Sequence, residues 1–184
     1  MNLHQFNEFL LVGGTSLALQ IGHRNSIDID LFGDCEIEEE LFTNTLSKLG
    51  TFEVFKRSRN ILITSIDDVK VDFVNYQYPL LKKKLVIDGI RLASKEDIAA
   101  MKLNAIVGRG SKKDFIDLYF LLNDFSLNQM IDFYIKKYFD GSKFMVVKSL
   151  SFFSDADLEQ TPPVFSDFDW EVCKHKILFE VSKL

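Results

Sequence analysis

Residues 10–32 read LLVGGTSLALQIGHRNSIDIDLF, and this run decides the fold. Phe9 to Val12 is a short apolar run that ends in Gly13-Gly14, which predicts a buried strand entering a tight turn. Thr15 or Ser16 is then expected to cap a short helix ending near Ile21. Ile27 to Phe32 alternates apolar and acidic residues, the period of a strand with one functional face. Asp28 and Asp30, two apart on that strand, leave the same face. Carboxylates held that close repel unless a cation sits between them, and ligands that are all oxygen suit Mg²⁺.

Beyond this run, Glu36 to Leu49 reads as a helix with its stop at Gly50. Phe52 to Phe55, Ile61 to Ile66 and Val69 to Asn75 read as successive strands, with Asp67-Asp68 turning between the last two. Within the apolar run VKVDFV, Asp72 is a third in-strand carboxylate, and an unpaired charge there is costly to bury. Three carboxylates on adjacent strands equip a site for nucleotidyl transfer with two Mg²⁺ ions. Gly13-Gly14-Thr15-Ser16 supplies its phosphate end, because glycines let backbone approach a ligand and the following helix presents free amides. Arg24, just before the carboxylate strand, is expected to reach the same phosphates. A Gly-Gly turn alone is only a turn, and Asp-x-Asp alone also reads as a surface edge; order and spacing join them.

After Ile90 to Leu92, another short strand, the chain turns helical. Ser94 with Asp97, and Ser111 with Asp114, are capping-box signatures. They predict helices from Lys95 to Val107 and from Ser111 to about Asn123. Ser126 begins a third helix, ending near Phe139, and Asp169 to Lys183 forms the last. The reading is an α+β fold: a mixed sheet with flanking helices over residues 1–93, then a helical part over 94–184.

The run at 10–32 resembles the signature of the DNA polymerase β-like nucleotidyltransferase superfamily. More narrowly it resembles the AbiEii/AbiGii toxin family of nucleotidyltransferase-like proteins. Asp72 in VDFVNYQYP matches that family's later carboxylate, and KLNAIVGRGSKKDFIDLYFLL (102–122) resembles its downstream signature. SFFSDADLEQTPPVFSDFDWEVCKHKI (151–177) is similar to its C-terminal region. The resemblance implies Gly13, Gly14 and Ser16 at nucleotide phosphates and Asp28 and Asp30 at metal. It implies Lys102 at the triphosphate, assisted by Arg109. Lys102 is expected on an accessible helix face, serving nucleotide affinity more than folding. Asp114 is read both as a cap and as a contact of the nucleotide or of its phosphate-binding lysine, and Asp117, one turn on, is equally open.

Composition bounds the alternatives. The chain has 184 residues, 47% of them apolar, with eighteen Phe, and a net charge of −5. That supports a packed core and argues against coating nucleic acid by bulk charge. Basic clusters at Lys56-Arg57-Arg59, Lys82-Lys83-Lys84 and Arg109-Lys112-Lys113 leave room for a local groove. No signal peptide or membrane-length apolar run is seen, and Cys35 and Cys173 lack metal spacing. The expectation is a cytoplasmic protein with reduced thiols. His4, His23 and His175 are scattered, and no Ser-His-Asp or Cys-His arrangement forms. The resulting function is an NTP- and Mg²⁺-dependent nucleotidyltransferase, the toxin of a bacterial toxin–antitoxin or phage-defence system. Its acceptor would be a hydroxyl of an RNA (tRNA-like) or of a protein, and its antitoxin would come from a neighbouring gene. Two alternatives stay open: an inactive nucleotide- or partner-binding module of the same fold, and a transferase acting on a small antibiotic-like substrate.

Overall fold

The computed structural model describes residues 3–184. After a 3-10 turn at His4–Phe6 the order is β1 (Leu10–Leu11), α1 (Gly13–Ile21), β2 (Ile29–Gly33), α2 (Glu39–Leu46) and β3 (Phe52–Ser58). There follow β4 (Ile61–Ile66), β5 (Val69–Asn75), β6 (Leu85–Ile87) and β7 (Ile90–Leu92). The helical half is α3 (Lys95–Gly108), α4 (Lys112–Leu121), α5 (Leu127–Lys137), α6 (Lys143–Ser149), α7 (Ser154–Asp157) and α8 (Trp170–Val181). The strands form one mixed sheet in the order β3-β4-β5-β2-β1-β7-β6.

Strand alternation sorts this sheet into two faces. Leu31, Leu62, Val71 and Phe73 join Phe6, Phe9, Phe42 and Leu46 in a core beneath α2. Phe42 and Phe73 lie 5.2 Å apart between ring centroids, and Phe9 meets Phe73 edge-on at 5.3 Å. Each such buried ring contributes about 1.5–3 kcal/mol relative to exposure. Leu10 and Val12 point the other way, into a core with Leu17 of α1, Ile98 and Leu103 of α3, and Phe115 of α4. Asp30 and Asp72, which alternate with Leu31, Val71 and Phe73, occupy this second, helix-covered face.

Two hairpins pin the register. Asp67 and Asp68 both have positive φ (48° and 65°), and β4 pairs with β5 from Ile66↔Val69 to Ile61↔Val74. Two-residue turns with positive φ match the right-handed twist of the strands they join. Asp88 and Gly89 (50° and 77°) do the same for β6 and β7. β6 is not foreseen from the sequence because Leu85–Ile87 is an exposed edge with no alternation. The Ser94 cap forms as predicted: its Oγ accepts from the Asp97 amide at 3.0 Å and donates to the Asp97 carboxylate at 2.7 Å. Asp97 is fully buried and also accepts from Lys137 Nζ at 2.8 Å and the Leu81 amide at 3.0 Å. It thereby ties α3 to α5 and to the β5–β6 connection. None of the helices among the described residues is long and apolar enough to cross a membrane.

Candidate active site

The Gly-Gly turn is closer to the carboxylates than the sequence suggests. Helix α1 starts at Gly13, with Val12 as its N-cap and no side-chain cap. The expected cap at Thr15 or Ser16 is therefore corrected: both lie inside the first turn. Gly13 has φ +67°, and a Cβ there would come within 2.6 Å of Asp30 Oδ2. A Cβ on Gly14 would collide with the Arg24 guanidinium. The first glycine thus lets backbone amides approach the carboxylate pair, and the second makes room for a buried arginine. Thr15 Oγ1 donates to the Asp28 carbonyl and pairs with Ser26 Oγ at 2.9 Å, which fastens α1 to the entry of β2. Ser16 is fully buried with Gln20 Nε2 3.3 Å from its hydroxyl. It lies in the first turn of α1, with its side chain on the buried face.

Parallel pairing of β2 with β5 sets Asp30 directly opposite Asp72. Burial and the neighbouring Asp72 carboxylate push the Asp30 pKa above the ordinary carboxylate value. Lys70 Nζ donates to Asp72 Oδ2, while Asp72 Oδ1 is buried without a partner. Asp28 stands just ahead of β2, partly exposed, with Lys113 Nζ 3.5 Å from its Oδ2. Among the described residues no three His, Cys, Asp or Glu side chains are grouped as a metal cage. Asp30 and Asp72 form a registered pair, and Asp28 is near enough for its charge to act on Asp30. The pair still fits Mg²⁺, because two adjacent carboxylates with an orphaned oxygen form an incomplete, oxygen-only donor set.

Opposite the sheet lies a buried ionic network. Asp117 accepts from Arg24 Nε and Nη2 (2.6 and 2.9 Å), from His23 Nε2 (2.7 Å) and from Lys102 Nζ (2.6 Å). Asp114 accepts from Lys102 Nζ (2.9 Å), Arg109 Nε (2.8 Å) and Ser111 Oγ (2.7 Å). Burial would raise both carboxyl pKa values, but Lys102 leads the cations that outweigh it and hold both well below the usual range. Burial disfavours the Lys102 ammonium, yet Asp117 and Asp114 raise its pKa above the ordinary lysine value. Two expectations are revised here. Arg24 is buried, clamped on Asp117, and bridged to Val164 of the C-terminal loop, so it does not stand free for phosphate. Lys102 is only 4% exposed and is part of the packing. Of the contacts left open for Asp114 and Asp117, the one to the lysine is present: both are fully buried and touch Lys102, and Asp114 also holds Arg109.

Acid should open this network. The folded pKa values of Asp114 and Asp117 lie below the unfolded ones. Their contribution is therefore complete above the unfolded value of about 4 and is lost progressively as pH falls below it. Asp30 has the opposite sign and partly offsets this, since its raised pKa favours the folded state at low pH. Thermal melts from pH 7 to pH 2 should show a plateau above pH 5 and a steep fall below pH 4. Asp117→Asn should flatten that fall; equal slopes in both proteins would place acid sensitivity elsewhere.

Between sheet and network lies a cavity of about 200 Å³ lined by Gly13, Asp30, Lys102 and Arg109, with Phe32 and Tyr76. Lys102 of α3 and Arg109, the residue that caps its C-terminus, line this cavity with Asp30. The Arg109 side chain is 61% exposed and is the accessible cation. Sequence reading missed Tyr76, Asn104 and Tyr138, which also line this cavity. Tyr76 was findable from its place directly after the Asp72 strand; Asn104 and Tyr138 carried no signal.

A mixed sheet carrying paired carboxylates, capped by a glycine turn and faced by cations from a following helical half, is the fold of a nucleotidyltransferase. The particular family follows from the comparisons: residues 2–182 match the family described as nucleotidyl transferase AbiEii toxin, type IV toxin–antitoxin system. The chain belongs to that family, and is an enzyme of the nucleotidyltransferase class. It is 39% identical over 173 residues to the uncharacterized protein aq_aa25 of Aquifex aeolicus, covering 90% of this chain and 82% of that one. The fold is similar to JHP933 from Helicobacter pylori (TM-score 0.60, 19% identity, 96% of this chain and 83% of that one). It is also similar to MenT4, a nucleotidyltransferase toxin of Mycobacterium tuberculosis (TM-score 0.51, 14% identity, 97% and 76%).

Proposed function

We propose that this chain transfers a nucleotidyl group from an NTP to a hydroxyl at an RNA end, and that an antitoxin from a neighbouring gene restrains it. The observation that supports this most is the cavity in which Gly13, Asp30, Lys102 and Arg109 meet. Uncapped amides at the start of α1 and the Arg109 guanidinium suit the triphosphate. Asp30 and Asp72, with Asp28 beside them, would hold Mg²⁺. That ion supplies charge neutralisation and a more acidic acceptor hydroxyl. The acceptor oxygen bonds to the α-phosphorus, the α–β bridging bond breaks, and diphosphate leaves. Asp72 Oδ1, the oxygen without a partner, would be this residue's ligand to the ion, and the hydroxyl proton passes to water. Asp114 and Asp117 act through others: they hold Lys102 charged and fix Arg109 and Arg24 in place. An RNA acceptor is favoured by Lys82-Lys83-Lys84, all exposed and without ion pairs among the described residues.

A second reading, a module without turnover, draws support from Lys70 and Lys113, which already neutralise Asp72 and Asp28. One assay separates the readings. The protein is incubated with each α-labelled NTP, Mg²⁺ and total RNA or lysate. Label should enter a band that ribonuclease removes and protease does not. Label in a protease-sensitive band would make the acceptor a protein, and no transfer with any NTP would favour the binding module.

A further inference from the structure

Next to the proposed phosphate cavity is a second one of about 450 Å³. Val12, Phe32, Tyr76 and Met101 line both, so the two cavities meet along these side chains. Their chemistry is opposite. The first carries Lys102 and Arg109; the second has Glu8 and Asp34 at its rim, both exposed and neither paired with a cation among the described residues. Lys137 does line the second cavity, but it is fully buried and neutralised by Asp97 at 2.8 Å. A phosphate would therefore meet net negative charge there, whereas an uncharged planar group would not.

The walls suit such a group. Phe32 and Tyr76 lie 4.9 Å apart between centroids, Tyr76 and Tyr78 5.2 Å, and Tyr78 and Tyr138 4.7 Å. Aromatic faces of this kind stack nucleobases with little regard to sequence. The tyrosine hydroxyls are already engaged: Tyr76 with Tyr138, and Tyr78 with Asp140 at 3.3 Å. Gln77 also lines the cavity, is exposed, and has no hydrogen-bond partner among the described residues. Its amide carries both a donor and an acceptor, the equipment for reading a base edge. The geometry points to this cavity as the seat of the nucleobase of the NTP, with Tyr78 stacking on it and Gln77 selecting among bases.

The inference rests on the triphosphate lying at Gly13 and Arg109, so the test separates the two. Equilibrium binding is measured in Mg²⁺ buffer for ATP, CTP, GTP, UTP and inorganic tripolyphosphate. Wild type should bind its preferred NTP roughly tenfold or more tighter than tripolyphosphate. Tyr78→Ala should weaken that NTP about tenfold and leave tripolyphosphate unchanged. Gln77→Ala, at an exposed position, should compress the spread among the four NTPs. Should Tyr78→Ala also lose tripolyphosphate through misfolding, the Gln77→Ala spread decides. NTP affinities equal to tripolyphosphate in wild type, or a spread unchanged in Gln77→Ala, would overturn the base site while the phosphate site stands. Wild type that binds neither ligand would overturn the phosphate site itself.

Discussion

Replacing Asp30 by Asn is expected to reduce nucleotidyl transfer by at least about 10³-fold, the scale on which removal of one charge-stabilising group acts, while leaving the protein as stable as wild type or more so. Asp30 sits opposite Asp72 in the β2–β5 register, and the Gly13 turn closes over its carboxylate. Its pKa is raised by burial and by Asp72, so ionised Asp30 at neutral pH opposes folding. Asn keeps the shape, removes one of two adjacent like charges, and cannot bind a cation as a carboxylate does. Transfer of label from α-labelled NTP and a thermal melt, run side by side, check both halves. Wild-type turnover in Asp30→Asn would remove this residue from the chemistry. A lower melting temperature with normal turnover would mean that Asp30 is structural.

Asp117→Asn should do the reverse and destabilise the fold by about 3–5 kcal/mol, the range for breaking one partner out of a buried ion pair. For a chain of this size that lowers the melting temperature by roughly 10 °C or more. Asp117 is fully buried and receives Arg24, His23 and Lys102, two of which are obligate cations with only 4% exposure each. An amide cannot accept from all of them, and its own N–H groups would face positive charge. Lys102→Met should likewise destabilise, against the expectation that Lys102 serves affinity more than folding, though less, since Asp117 keeps Arg24 and Asp114 keeps Arg109. A shift below about 2 °C for Asp117→Asn would show that the network is not a structural element.

The local features of the fold were legible in the residues. The β4 and β5 bounds coincide with the apolar runs at 61–66 and 69–75, because a two-residue Asp-Asp turn leaves no freedom of register. The Ser94 cap follows from spacing within one helix, where sequence distance and spatial distance are tied. Sequence order also placed a glycine turn ahead of an Asp-x-Asp strand, and so pointed to phosphate and metal chemistry.

What the tertiary structure decided is which charges remain free. Arg24, Lys102 and Asp114 read as ligands for a nucleotide because cations near acids near glycines suit one. Each instead lies in the buried network around Asp117, whose members come from residues 23, 24, 102, 109, 114 and 117. Lys70 and Lys113, unremarkable as sequence, stand beside two of the three carboxylates. Burial and ion pairing are set by contacts between segments as many as 94 residues apart, and no local pattern encodes which acid a given lysine will meet. The chain's own order of residues therefore determined the elements and the class of chemistry, whereas packing of the helical half on the sheet determined which side chains face the cleft.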